Sequence, residues 1–325
     1  MSNLRVVAIV NPKAAGGAVI RRWPLFEKAI ASFVDLDTLL TKRPKHATDL
    51  AREAAAGADV VVAVGGDGTI NEVINGLLQK DGLCAKLAYI PMGTGGDFQR
   101  TVNLPNQPDE AAEVIVSGET LTIDAAVASL ISHEGKPVER YFLNMTSFGM
   151  GGDVSVKAKN FLSRLSGKLA FLWATFTVAL DYRGKTVRIQ LDSDPAEHEF
   201  FITNLAVGNG RYHGGGMHPC PLALLNDGVL EVTPIERLNL FELVRDIRIL
   251  YSDNVYQHRK AHHFRARTMR AESDEIVRVE VDGESVGRLP MTITTLPQAL
   301  RLLIPQSSPL LAEPPATAEP LGQDS

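Results

Sequence analysis

Cysteine is scarce in this 325-residue chain. The two present, Cys84 and Cys220, stand in no spacing typical of a metal site or redox pair. A disulfide scaffold is therefore excluded, and a reducing cytoplasm is the expected setting. Long apolar runs are also missing. The longest uncharged, mainly apolar stretch is Leu169–Leu180, closed by Lys168 and Asp181, well short of the roughly 20 residues a spanning helix needs. The apolar run within Met1–Val10 is too short for a signal peptide. Basic charge is not in excess either, with 33 Lys and Arg against 38 Asp and Glu. No global field favours nucleic acid as a partner. The eight histidines have no Cys or acidic partners at zinc-ligand spacing, and no internal repeat is visible.

What the chain does have is a composition for a real core, 45% hydrophobic and 22% charged. Its length suits about two domains. The first 125 residues alternate strand and helix signals. Val6–Val10, Val60–Val64 and Leu87–Ile90 are short apolar runs of the kind found in buried parallel strands. Helices are expected over Ala47–Ala56 and Thr69–Leu78, the latter with Ile70, Val73, Ile74, Leu77 and Leu78 on one face. This alternation predicts a doubly wound α/β domain over residues 1–126. From about Leu121 the texture changes. Thr186–Asp192, Phe200–Val207, Gly228–Thr233 and Ile276–Asp282 read as mainly antiparallel strands. They predict a β-rich, sandwich-like domain over 127–305, with helical insertions near Asn160–Leu180 and Leu238–Tyr256. Its last strand, Ala299–Ile304, is a candidate to return to the first domain. Residues 306–325 hold four prolines and no Lys or Arg, the composition of a disordered tail.

The glycines sit where the strands of the first domain end. Val60–Val64 runs into Gly65-Gly66-Asp67-Gly68-Thr69, and an amphipathic helix follows at once. Two further strands end in Asn11-Pro-Lys-Ala-Ala-Gly-Gly17 and in Pro91-Met-Gly-Thr-Gly-Gly-Asp-Phe98. Such loops converge backbone N–H groups on an anion, and the helix N-terminus adds its positive end. Ligands bind at the carboxyl ends of strands in open α/β sheets, so the three loops describe a polyphosphate site. Each alone is also an ordinary tight turn. Asp67 and Asp97, inside the glycine runs, are unfavourable beside phosphate unless a cation such as Mg²⁺ lies between. The alternatives fail on spacing. A Walker A loop would need glycine where Ala179 stands before Gly184-Lys-Thr186, and G-x-G-x-x-G follows none of the three strands.

These residues resemble the diacylglycerol kinase catalytic-domain family, in particular its bacterial soluble lipid kinases. Gly65–Thr69 is similar to that family's nucleotide signature, Asn11-Pro12 with Gly16-Gly17 to its opening loop, and Pro91–Thr94 with Asp97, Phe98 and Arg100 to its third loop. The likeness continues in order through Tyr141–Gly149, Val207–Met217, Leu224–Leu230 and Val281–Glu284. One departure is Gly96, where the family usually carries Asn.

The resemblance implies ATP-dependent transfer of the γ-phosphoryl group to a lipid hydroxyl, diacylglycerol or a relative, with Mg²⁺. It places ATP on Gly66, Asp67, Gly68, Thr69, Ile70, Asn71 and Glu72, near Thr94 and the loop Asn11, Pro12, Lys13, Ala14 and Ala15. It adds Thr41, which by itself reads as a loop or cap residue. Asp67 would serve the metal–nucleotide complex, and Asp97 the same metal or the nucleophile. Glu284 would be the base, supported by Asp282, although Asp-Gly after a strand also reads as a hairpin turn. A structural Mg²⁺ is implied at Leu224, Asp227 and Val229, where Asn-Asp-Gly is equally an ordinary turn.

Tyr251–Arg270 carries five Lys and Arg, three His and the single acid Asp253. This is a solvated basic face or one drawn to an anionic membrane. The stripe Phe161, Leu162, Leu165, Leu169, Leu172, Trp173, Phe176 reads as a core-facing helix rather than as a lipid anchor. The expected partners are thus ATP and a lipid met transiently at the inner membrane face, without nucleic acid and with a homodimer left open. A kinase of a soluble alcohol (NAD or a sugar phosphate) and a non-catalytic nucleotide-binding module remain as alternatives. The retained Asp-Gly-Glu and both loop aspartates weigh against the module.

Overall fold

The structure is a computed structural model that describes residues 4–79, 85–161, 177–178, 180 and 182–311. The chain divides into two compact units, Met1–Asp124 with Gln298–Ala316, and Ala125–Pro297 with Thr317–Ser325. The insertion expected at Asn160–Leu180, its apolar stripe, Cys84 and the tail from residue 312 lie mostly or wholly outside the described residues.

The first unit is built on parallel strands β1 (Arg5–Val10), β2 (Asp35–Leu40), β3 (Val60–Gly65) and β4 (Lys86–Pro91), in the order β2-β1-β3-β4. Pairing is in strict register, Val6 opposite Val60 and Val10 opposite Val64. β3 is buried at every residue, because a central parallel strand is covered on both faces. On one face Val19, Trp23, Phe26 and Ile30 of α1 (Ala14–Ala31) pack with Ala111, Ala112 and Ile115 of α5 (Pro108–Ser117) against Val6, Ala8 and Val62. Helices α2 (His46–Ala54) and α3 (Asp67–Leu77) pack on each other, α2 against β1 and α3 against β3. A short α4 (Asp97–Val102) follows β4. This is the doubly wound α/β fold that strand–helix alternation predicts. α1 lacks a clean periodic signal because it opens on Gly16-Gly17 and contains Pro24.

The second unit is antiparallel. It comprises most of β5 (Glu119–Ser132), then β6 (Pro137–Phe142), β7 (Met145–Gly149), α6 (Met150–Phe161), β8 (Lys185–Leu191), β9 (Glu197–Gly208), β10 (Leu230–Glu236), α7 (Leu240–Asp246), β11 (Phe264–Ala266), β12 (Thr268–Glu272), β13 (Arg278–Val281) and β14 (Glu284–Ile304). Two long strands serve several neighbours. β9 pairs with β7, β8 and β10, while β14 pairs with β5, β12 and β13. The layers close on Phe142, Phe148, Ile202, Leu205, Val279 and Ile293, giving the β-rich unit expected. Only part of Leu238–Tyr256 is α-helical. Asn239 and Glu242 form a capping box at the start of α7, and short 3-10 turns follow at Ile247–Tyr251 and Val255–Gln257.

The end of β14 belongs to the first unit, where Leu302 pairs in parallel with Leu87. Order extends past the expected start of the tail. Gln306 donates to the Ser117 carbonyl at 3.0 Å, and Leu310 is buried.

Candidate active site

In the first unit the three glycine loops meet at the carboxyl ends of β1, β3 and β4. Register puts Gly65 opposite Pro91. The loops then approach so closely that a methyl group on Gly93 would collide with the Cα of Gly66. Only glycine permits this. Asn11 donates its amide to Thr69 Oγ1 at 3.1 Å, tying the first loop to the second. Ala15, Gly16 and Gly17 all have positive φ, so successive backbone groups turn in a left-handed curl. Such a curl, beside the N-terminus of α3, offers N–H groups to an anion.

Asp67 lies in the first turn of α3. Its Oδ2 accepts the N–H of Gly96 at 2.9 Å and its Oδ1 that of Phe98 at 3.4 Å. A side chain on Gly95 would strike this carboxylate. Burial, and then the neighbouring charge of Asp97, raise the Asp67 carboxyl above its ordinary value, against the pull of the backbone amides. Asp97 is buried and paired with Arg100 at 3.0 Å. A carboxylate that resists ionising beside a second acid fits a divalent cation, which reverses both penalties. Among the described residues no three His, Cys, Asp or Glu side chains form a metal cage. An ion here would therefore take its remaining ligands from phosphate and water, as Mg²⁺ does.

The other expected nucleotide residues divide. Lys13 and Thr94 are exposed, and Asn11, Pro12, Ala14, Ala15, Gly66 and Gly68 are half-buried at the loop rims. Thr41 continues β2, its N–H donating to the Val10 carbonyl at 2.9 Å, which sets it level with Asn11. Thr69, Ile70 and Asn71 are buried. Glu72 turns elsewhere, its carboxylate capping α2 through the N–H groups of Lys45 (2.9 Å) and Ala47 (3.1 Å). The sequence does not single out Tyr89. Its hydroxyl donates to the Gly65 carbonyl at 3.3 Å, and burial followed by the charges of Asp67 and Asp97 keeps it a neutral phenol.

In the second unit Asp282 and Gly283 form the two-residue turn between β13 and β14, both with positive φ. The backbone thus has the hairpin that Asp-Gly after a strand implies. The Asp282 carboxylate accepts N–H groups from Leu143 (3.3 Å), Asn144 (3.2 Å) and Met145 (2.9 Å). It organises backbone and leaves Glu284 as the exposed acid. Asn144 in turn donates to the Tyr212 carbonyl at 2.5 Å, and Asn209 to that of Leu143 at 2.7 Å. Beneath the turn lies Glu280, which accepts from Ser147 Oγ at 2.8 Å and Gly283 N at 2.8 Å. Sequence reasoning missed it because alternation assigns Val279 and Val281 inward and Glu280 outward, whereas β13 is covered on both faces.

The expected metal turn is differently furnished. Val229 N–H donates to Asp227 Oδ1 at 3.2 Å, and the other carboxylate oxygen of Asp227 meets the guanidinium of Arg265. Several basic side chains of Tyr251–Arg270 likewise have acidic neighbours within the unit, Lys260 with Glu242 at 2.7 Å, the His262 ring with Glu236 at 2.7 Å and the His258 ring with Asp246 at 3.2 Å.

Glycine loops at the strand ends of an open parallel sheet, with Asp67 and Asp97 among them, are the frame of a nucleotide-binding unit, and the relatives make the chain a phosphotransferase with an alcohol acceptor. Residues 5–128 match the diacylglycerol kinase catalytic domain, and residues 144–304 match the YegS C-terminal NAD kinase beta sandwich-like domain. The chain is 31% identical over 258 residues to a diacylglycerol kinase of Staphylococcus saprophyticus, covering 79% of this chain and 81% of that one. It is 30% identical over 247 residues to that of Staphylococcus aureus (strain JH9), covering 76% and 75%. The solved structure of a diacylglycerol kinase from Bacillus anthracis superposes with a TM-score of 0.70 at 25% identity, covering 94% of this chain and 99% of that one. Yeast NADH kinase shares the fold alone (TM-score 0.52, 12% identity, 93% and 83% covered). The chain belongs to the diacylglycerol kinase family. It is an ATP-dependent lipid kinase.

Proposed function

We propose that this chain transfers the γ-phosphoryl group of magnesium-bound ATP to the hydroxyl of diacylglycerol or a close relative, meeting that lipid at a membrane surface. The observation that carries the reading is the Asp67 carboxylate, held by the third loop's N–H groups beside Asp97. Asp67 and Asp97 would hold Mg²⁺, directly or through water, and a bound ion would neutralise phosphate charge. The curled first loop and the N-terminus of α3 bind the phosphate oxygens through backbone N–H groups. Glu284 accepts the proton of the acceptor hydroxyl, and Asp282 positions it by fixing the turn.

The membrane side of the proposal is supported by α7. Among the described residues no helix is long and apolar enough to cross a membrane. Yet Phe241 is 74% exposed and Val244 60%. Beside them Arg245, Arg248 and Arg259 line one open cavity of about 650 Å³. Arg245 pairs with Asp246 and Arg259 with Glu242, and exposed apolar groups next to Arg248 suit an anionic bilayer.

The test is labelled ATP with mixed lipids, NAD and sugar phosphates, followed by extraction into organic solvent. Label in the organic phase is expected, and label only in soluble product would end the lipid reading. Omitting Mg²⁺ should abolish transfer.

A further inference from the structure

The turn Leu224–Val229 precedes β10, and β11 runs antiparallel beside it. Their register sets Arg265 directly opposite Glu231. Both Glu231 and Asp227 have side chains only 2% exposed. The Arg265 guanidinium spans them, its Nε on Glu231 Oε1 at 3.0 Å and its Nη2 on Asp227 Oδ2. The second oxygen of Glu231 meets His263 Nε2, and Tyr256 OH at 3.5 Å. Val229 N–H holds the remaining oxygen of Asp227.

We infer that Arg265 is the resident cation of the Leu224–Val229 turn, and that this turn takes no divalent metal. Two buried carboxylates need a positive charge. A guanidinium supplies a permanent one, with forked donors that reach both acids at once. Its place is set by the backbone pairing of β10 with β11, so it is present whenever the unit is folded. A divalent ion on Asp227 would have to share that carboxylate with a fixed cation a few ångströms away. It could not displace the guanidinium without leaving Arg265 and Glu231 half-paired in a buried site. The inference does not depend on the identity of the lipid acceptor. It separates the turn from the metal requirement assigned to Asp67.

Manganese binding to the nucleotide-free protein, counted by electron paramagnetic resonance, tests this. Wild type and Asp227→Asn should bind the same number of ions. Arg265→Met should bind one more than wild type, that ion should vanish in Arg265→Met/Asp227→Asn, and Arg265→Lys should restore the wild-type count. Loss of an ion from wild type on Asp227→Asn would overturn the inference, as would Arg265→Met binding no extra ion. Should Arg265→Met fail to fold, the comparison of wild type with Asp227→Asn still decides. Failure of kinase activity alone leaves every one of these counts unchanged, so the two readings fail separately.

Discussion

The ring Nε2 of His213 lies 3.2 Å from Oε1 of Glu280, a carboxylate with 0% exposure, while the other oxygen of Glu280 holds the N–H of Gly283. One buried acid thereby ties the glycine-rich loop after β9 to the turn that presents Glu284. Ser147, on β7, is the third donor. Glu280 has no exposed surface with which to touch a substrate, so under the proposed function it would act by positioning.

Replacing Glu280 with Leu should strand three donors and lower stability by about 3 kcal/mol, at roughly 1 kcal/mol or more for each unsatisfied buried group. Glu280→Gln, which keeps an acceptor oxygen, should recover much of this. If positioning is its role, kcat falls in Glu280→Leu while the KM for ATP holds, and Gln restores kcat in step with stability. Denaturant unfolding and steady-state kinetics on the same preparations separate the outcomes. An unchanged kcat in Glu280→Leu would remove Glu280 from this role.

The proposed function gives Glu284 and Asp282 different duties, so their variants should fail differently. Glu284→Gln should leave stability within about 0.5 kcal/mol, because the residue is exposed. Turnover should fall by about 10²–10⁴-fold, the usual contribution of a general base. Asp282→Ala should instead destabilise by about 2–4 kcal/mol, since three backbone N–H groups lose their acceptor. Melting curves beside single-turnover rates distinguish the two. Equal stability losses in both variants would mean that Glu284 is also structural.

Asp67 carries a pH signature. Its carboxyl is raised above the ordinary 3.8, by burial first and Asp97 second. Between 3.8 and the raised value the folded protein therefore binds more protons than the unfolded chain. The stability contributed by Asp67 is fully present below that window and is lost as pH rises through it. Above the window the ionised side chain is a net burden, which a bound cation would relieve. Urea unfolding of the nucleotide-free protein should show wild type gaining stability relative to Asp67→Asn as pH falls into the window. Asp67→Asn should also lose magnesium-dependent ATP affinity. A pH-independent stability difference between the two would contradict the raised carboxyl, and retained affinity would contradict the metal role.

Much of this was legible in the chain itself, for a physical reason. Buried parallel strands are continuous apolar runs, so Val60–Val64 and Leu87–Ile90 announce themselves, and the glycine loops follow because they must begin where those strands end. α1 was not legible, because Gly16-Gly17 and Pro24 mimic a loop and the left-handed curl precedes the regular helix. β2, read as Asp-Leu-Asp-Thr-Leu-Leu, is only half covered at the sheet edge and lacks an apolar run. Partnerships made across distant segments were also hidden. Glu72 looks like a phosphate-loop residue until α2 arrives to be capped by it. The basic stretch Tyr251–Arg270 looks unpaired until β10 and α7 bring Glu231, Glu236, Glu242 and Asp246 alongside. Local composition cannot report an ion pair closed by tertiary folding.

That pairing takes Lys260, His262 and Arg265 out of the membrane question, while Arg267 and Arg270 stay exposed and α7 adds an apolar face. Lys260, His262 and Arg265 have acidic partners inside the unit, and Arg245, 5.9 Å from the Phe241 ring centroid, is held by Asp246, whereas Phe241 projects 74% exposed with Arg248 exposed nearby. Burying one phenylalanine in a bilayer is favourable by about 2 kcal/mol, and each basic residue near an anionic surface adds about 1 kcal/mol. Phe241→Ser should thus weaken vesicle binding by roughly 10- to 30-fold on neutral and anionic lipids alike. Arg248→Glu, a reversal, should weaken it by a similar factor on anionic vesicles alone, and less as salt rises. Both variants should keep wild-type rates on a dispersed short-chain diacylglycerol, because neither Phe241 nor Arg248 is among the residues assigned to catalysis. Vesicle flotation that is indifferent to both substitutions would place the membrane contact elsewhere. Lost activity on the dispersed substrate would show that α7 supports the catalytic residues rather than the bilayer.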